Sequence, residues 1–188
     1  MAESYRDPLL TFMKKGEIIL HPTDTIWSLC WSFENKEALD KILSVKSPSQ
    51  EDPIVLLASD IDMVKKHAER IHPRVETLIG LHSRPLSIIY PGLTRLPEHF
   101  NEFKDRIAMR IVRHLQLHQL VCMLEDPIAT ISTRLSGKDF PIDFLDIDPK
   151  ILSLADRRIG ESDAQADKRA PSVVASYDEN GELLFIRD

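Results

Sequence analysis

Short apolar runs, each stopped by turn-forming residues, constrain this chain more than any other feature. Ile18-Ile19-Leu20 ends at His21-Pro22, Leu86 to Tyr90 ends at Pro91-Gly92, and Ile128 to Ile131 ends in Ser132-Thr133-Arg134-Leu135-Ser136-Gly137. Pro53 to Leu57 and Ile107 to Val112 are runs of the same kind. Their length suits strands rather than helices, so each reads as a buried strand. Proline lacks a backbone donor and biases the residue before it to extended geometry, which explains where such runs stop.

Amphipathic stretches separate the runs. Asp7 to Lys15 places Leu9, Leu10, Phe12 and Met13 on a helix that ends at Gly16. Asn35 to Val45 carries Ala38, Leu39, Ile42 and Val45 as one stripe, with Asn35 placed as its N-cap. Helices are also expected over Asp60 to Arg70, Val75 to Gly80, Leu115 to Leu124 and Pro149 to Ala155, and a polar loop over Gly160 to Lys168. Ser172 to Tyr177 and Leu183 to Arg187 flank Asp178-Glu179-Asn180-Gly181, a hairpin signal. Strands and helices alternate up to that hairpin, which predicts one α/β domain over residues 1–188 with a mixed sheet. With 188 residues there is room for one substantial core, and a second domain would be cramped.

Charge narrows the partners. A formal net charge of −6 argues against a broad electrostatic grip on nucleic acid, which would need a local basic patch. The opening MAESYRDPLL lacks a basic region followed by an apolar one, and no apolar run approaches a membrane span. Cys30 and Cys122 then read as reduced, buried thiols of a cytoplasmic protein with no membrane partner.

Candidate chemistry sits after the strands. Thr23-Asp24-Thr25 follows the first run, where the pattern alone favours the cap of a following helix over the floor of a ligand site. Lys46 to Pro53 and Ser132 to Gly137 also place hydroxyls and cations after or between runs, and a solvated loop explains each singly. His114, His118 and Cys122 repeat every four residues on one helix, but the outer two lie about 12 Å apart along its axis, too far to share one ion. No metal site is expected. The six glycines are scattered, so no glycine-rich phosphate loop exists, and Ser132 and Ser136 lie outside any nucleophile elbow. Trp27 and Trp31 suit either a contact surface or the core.

Taken together and in order, these segments resemble the YrdC-type threonylcarbamoyl-AMP synthase family. HPTDTIWSL (21–29) is similar to its Y-P-T-(D/E)-T-x-(Y/W)-G-L, and ALDKILSVKSPSQEDPIVLL (38–57) to its helix followed by K-x-R-x(4)-P. SRPLSIIYPG (83–92), RIAMRIVRH (106–114), DPIATISTRLSG (126–137) and APSVV (170–174) resemble the later motifs over nearly the whole chain. The resemblance implies an open, twisted YrdC-like α/β sheet with a concave basic cavity. It implies that threonine, bicarbonate and ATP with Mg²⁺ give threonylcarbamoyl-AMP and pyrophosphate, for the threonylcarbamoyl modification of tRNA. It also implies a capacity to bind double-stranded RNA.

Carried over by position, Lys46 and Ser132 fall on catalytic positions. Thr23, Thr25, Arg110, Arg134 and Ser172 join them as substrate- and nucleotide-binding residues. Arg84, Arg113, Lys168 and Arg169 are further basic candidates. The chain also departs from the pattern. Pro48 replaces the arginine of K-x-R, Arg134 the asparagine of S-A-N, Thr133 its alanine and Ile131 the preceding threonine. Ser28 stands for a glycine, Cys30-Trp31-Ser32 adds bulk, and Asp52 occupies a place that is commonly neutral or basic. An arginine–phosphate hydrogen bond contributes about 1.5–3 kcal/mol, so Pro48 alone would not abolish nucleotide binding. Arg134 either restores the missing cation or is a drifted surface residue. The expectations are therefore a divergent synthase or, alternatively, a non-catalytic paralogue that binds nucleotide or double-stranded RNA in the same cavity.

Overall fold

The computed structural model describes residues 8–160 and 170–188; Asp7, Lys168, Arg169 and nearly all of the expected 160–168 loop lie outside the described residues. Helix α1 (Pro8–Lys14) leads to strands β1 (Ile19–Pro22) and β2 (Trp27–Ser32), helix α2 (Lys36–Leu43) and strand β3 (Ile54–Ala58). Helices α3 (Ile61–His67) and α4 (Pro73–Leu81) precede β4 (Leu86–Ile89), and a 3-10 stretch (Glu98–Arg106) precedes β5 (Ile107–Ile111). Then come α5 (Leu115–Leu124), β6 (Ile128–Ser132), α6 (Pro149–Leu152), β7 (Arg157–Arg158), β8 (Val173–Tyr177) and β9 (Leu183–Arg187).

The strands of the described residues form one nine-stranded sheet, in the order β7-β1-β2-β6-β3-β5-β4-β8-β9. β7–β1, β3–β5 and β4–β8 pair parallel and the other neighbours antiparallel, which is the expected mixed α/β sheet. Its two edges do not meet, so the right-handed twist of its strands accumulates in an open surface. Among the described residues no helix is long and apolar enough to cross a membrane.

β2 corrects the reading of the first motif. Thr23 to Ile26 caps no helix; it is the turn of the β1–β2 hairpin, where the Thr23 N–H donates to Ile26 O at 3.4 Å and the Thr25 N–H to Thr23 Oγ1 at 3.1 Å. The missed signal was the period-two alternation of Trp27, Leu29 and Trp31 with Ser28, Cys30 and Ser32. Both tryptophans are buried, which removes the contact-surface reading. Cys122 is exposed on α5, contrary to expectation, because it flanks the buried stripe of Leu117, Leu120 and Val121. α2 starts where its cap predicts: Asn35 Oδ1 accepts from the Ala38 N–H at 3.1 Å, and Asn35 Nδ2 donates to Gly16 O at 2.8 Å.

Strand register sorts the side chains into two faces. Ser28 lies opposite Ser132, and Thr130 lies opposite both Cys30 and Val55. Val55 lies beside Ala108 and Leu57 beside Arg110, while Ser87 lies beside Val174 and Val174 beside Arg187. Directly paired residues share a face and alternate along each strand, so Ser28, Thr130, Ser132, Arg110 and Arg187 all emerge on one side. Leu29, Trp31, Ile131, Leu56, Met109 and Ile88 emerge on the other. There they join Leu9 and Met13 of α1, Met63 and Val64 of α3, and Leu117 and Leu120 of α5 in the main apolar core. A wide sheet thus keeps one apolar face under helices and offers a second face, where these polar residues lie beside a small apolar cluster of Ile89, Ala108 and Val174.

Candidate functional site

Lys46 leaves the end of α2 through a backbone bond to Ile42 O at 2.9 Å, and its side chain is only 1% exposed. Nζ donates to Asp52 Oδ2 at 2.5 Å, to Ser132 Oγ at 3.1 Å and to the Arg134 carbonyl. Ser132 Oγ donates to the same Asp52 oxygen at 2.9 Å and accepts from the Arg134 N–H at 3.2 Å. Arg134 Nε lies 3.6 Å from Asp52 Oδ2. One carboxylate therefore gathers an ammonium, a hydroxyl and a guanidinium.

A second group surrounds Arg110, which β5 carries on the second face and which is only 4% exposed. Its Nη1 donates to Thr25 Oγ1 at 3.0 Å and its Nη2 lies 3.1 Å from Asp24 Oδ1. Thr25 Oγ1 is 2.9 Å from Thr23 Oγ1, and Asp24 Oδ2 accepts from the Arg113 N–H at 3.2 Å. The terminal hairpin adds a third group. Arg187 Nη2 donates to Ser172 O at 2.8 Å and to Ser172 Oγ at 3.1 Å, and Nη1 donates to Glu51 O at 2.6 Å. Ser172 Oγ is 2.9 Å from Ser87 Oγ. Phe140 lies against both guanidiniums, with Arg134 Cζ 4.4 Å and Arg187 Cζ 5.0 Å from its ring centroid.

Thr25, Ser28, Arg110, Thr130, Ser132, Ser172 and Arg187 line one cleft with about 20 Å³ of free volume, enough for about one water. Larger grooves of about 360, 250 and 220 Å³ lie elsewhere and contain none of the sequence-predicted site residues. Chemistry rather than volume therefore picks out the narrow cleft. Burial lowers the Lys46 ammonium below its ordinary value, with Asp52 opposing the shift. Burial likewise lowers Arg110 against the pull of Asp24, and brings Arg187 down to about 10, with Asp52 opposing and Arg134 and Arg110 reinforcing. Cations crowded into a dry cleft stabilise an anion placed among them.

Of the sequence-predicted residues, Thr25, Arg110, Ser132 and Ser172 line the cleft directly. Lys46 reaches it through Ser132, Thr23 through Thr25, and Arg134 through Asp52. Arg84 and Arg113 do not line it: Arg84 pairs with Asp188, and the Arg113 guanidinium donates to the Ser83 and His82 carbonyls. Arg187, Phe140 and the pairing role of Asp24 were missed. Arg187 ends a strand whose hairpin was legible, but nothing local places that strand beside Ser172. His118 Nδ1 lies 3.8 Å from Cys122 Sγ, and among the described residues no group of three or more His, Cys, Asp or Glu could hold a metal ion.

The Sua5/YciO/YrdC family model, described as "Telomere recombination", matches residues 11–188. A threonylcarbamoyl-AMP synthase of Hydrogenovibrio crunogenus is 27% identical over 142 residues, 70% of this chain and 76% of that protein. One from Pseudomonas aeruginosa is 26% identical over 164 residues, 86% of each. Among solved structures, E. coli YciO superposes with a TM-score of 0.80 at 18% identity, covering 96% of this chain and 86% of that one. Sua5 of P. abyssi complexed with L-threonine superposes with a TM-score of 0.73 at 19% identity, covering 95% of this chain and 52% of that one. The family model runs from α1 through the strands that wall the cleft to the last residue, and on that match this chain belongs to the Sua5/YciO/YrdC family.

Proposed function

We propose that the cleft binds threonine and ATP, and that the protein makes threonylcarbamoyl-AMP from threonine, bicarbonate and ATP with release of pyrophosphate. The product would serve threonylcarbamoyl modification of tRNA in the cytoplasm. One observation carries this reading. Thr25, Lys46, Arg110, Ser132 and Ser172, distant in sequence, converge on one cleft in a chain whose relatives bear the synthase's name. In the reaction a threonine carbamate oxygen attacks the α-phosphate and pyrophosphate leaves. Lys46, Arg110, Arg134 and Arg187 stabilise the phosphate charge, Ser132 and Thr25 offer hydroxyls, Ser172 lines the wall, and Thr23 orients Thr25. Mg²⁺ fits as an ion borne by the ATP phosphates: Asp24 and Asp52 are already held by cations, so the protein supplies no cage of its own.

A second reading, a module that holds a nucleotide or double-stranded RNA without turnover, is favoured by Asp52, which pairs with the lysine meant for phosphate. The deciding experiment is pyrophosphate release by the purified protein with ATP-Mg²⁺, threonine and bicarbonate, beside calorimetry with ATP alone. The synthase reading expects release that needs both threonine and bicarbonate, and a drop of about a hundredfold or more in Lys46→Ala. Saturable ATP binding with no release would establish the second reading instead. Retention of duplex RNA that weakens with salt in proportion to the phosphates contacted would specify RNA as its ligand.

A further inference from the structure

The chain itself already engages Lys46, Arg134 and Arg187 beside the cleft. Asp52 is 5% exposed and takes the Lys46 ammonium at 2.5 Å, the Ser132 hydroxyl at 2.9 Å and Arg134 Nε at 3.6 Å. Those are the donors to which phosphate was assigned above. Phe140 meanwhile lies against the guanidiniums of Arg134 and Arg187, a position open to any flat π-system. The adjoining cleft is narrow, with about 20 Å³ of free volume, so an anion that reaches Lys46 and Arg134 must compete with Asp52 for them.

We infer that Asp52 and Phe140 are built-in occupants of the cations beside the cleft, a carboxylate held by Lys46 and Arg134 where a ligand phosphate would compete and a ring lying against the Arg134 and Arg187 guanidiniums, and that together they set the site's affinity for anions. The inference rests on the reading of the cleft as an anion site. Asp52 has a short exit: it lies in the loop between α2 and β3, next to exposed Gln50 and Glu51, held at its backbone by the Ser49 hydroxyl at 3.1 Å. Phe140 is half-buried on the loop after β6, so it too can turn outward. An anion must compete with an intramolecular carboxylate, which lowers its apparent affinity by the population of the open state. A weak monoanion gains little from that exchange, whereas a polyphosphate replaces one charge with several.

The test is calorimetry on the full chain at mildly acidic pH, with inorganic pyrophosphate and with ATP-Mg²⁺, for the parent protein, Asp52→Asn and Phe140→Ala. Asparagine keeps the shape and one acceptor while removing the charge, and Phe140→Ala removes a half-buried ring without touching the core. Asp52→Asn is expected to bind both probes at least tenfold more tightly, about 1.4 kcal/mol. Phe140→Ala is expected to bind ATP severalfold more tightly. Equal or weaker binding by both variants, with melting curves that show them folded, would overturn the inference and make these residues supports rather than occupants. The assay separates the two proposals. Tighter variants without pyrophosphate release would sink the synthase reading alone, and turnover with unchanged affinities would sink the built-in occupants alone.

Discussion

Arg110 is a charge that the fold has taken almost wholly out of water, and Asp24 is what makes that tolerable. Removing one partner of a buried ion pair strands the other, at a cost of about 3–5 kcal/mol, whereas replacing both by apolar residues of similar volume is often close to neutral. Asp24→Ala should therefore lower the urea midpoint sharply, and adding Arg110→Met should recover much of the loss. The double variant should bind ATP poorly, because the Arg110–Thr25 contact goes with Arg110. The cysteines give a second check at this scale. Cys122 is exposed and Cys30 buried on β2, so a thiol reagent should label Cys122 in the native protein and Cys30 only after denaturation. Burial raises the Cys30 thiol from 9.0 to about 12. Between those values the unfolded chain releases the proton while the folded chain keeps it, so stability falls as pH rises, by about 1.4 kcal/mol per unit. The effect is absent below pH 9.0 and complete above about 12. Urea midpoints across that window should fall less steeply in Cys30→Ala than in the parent protein.

At the scale of elements, the join between α1 and α2 is the best-defined local device. Asn35 caps α2 through Oδ1 and reaches back to the Gly16 carbonyl through Nδ2, while Gly16 takes a left-handed φ of 75°. A Cβ at Gly16 would lie 2.7 Å from Asn35 Nδ2, so glycine is required for both conformation and space. Asn35→Ala should cost about 1–2 kcal/mol, since it loses a helix cap and a long-range bond together; chemical denaturation measures it. The terminal hairpin shows the same logic with a functional consequence. Gly181 turns it at φ 77° with the His72 ring packed where a Cβ would be, and the returning strand delivers Arg187 to Ser172. Gly181→Ala is expected to lower both stability and ATP affinity, because a shift of β9 moves that guanidinium.

For the whole molecule, the cleft is a product of sheet order. β2 and β6 from different halves of the chain pair as neighbours, and β3 and β5 continue the same face, so no half of the sequence contains the site. One apolar cluster underlies all of them, and such a core unfolds as a unit. Emission from Trp27 and Trp31, both on β2, should therefore change at the same urea midpoint as far-ultraviolet circular dichroism. Separate midpoints would show that the two ends of the sheet unfold independently.

The amino-acid sequence by itself determined the elements whose signals are local. The apolar runs 53–57, 86–90, 107–112 and 128–131, the cap at Asn35, α5 and the terminal hairpin all emerge within a residue or so of where patterning and turn chemistry put them. It also determined which loops carry hydroxyls and cations, because motif order survives in the chain. β2 was legible as an alternation but was hidden by the hydroxyl-rich turn before it, which reads as a helix cap unless its hairpin partner is known. Tertiary structure decided the rest. Which face Arg110 takes, that Asp52 rather than solvent holds Lys46, and that Arg187 reaches the cleft with Phe140 against its guanidinium all depend on strand order and register. Those are set by long-range pairing energies that leave no mark on the neighbouring residues of any one segment.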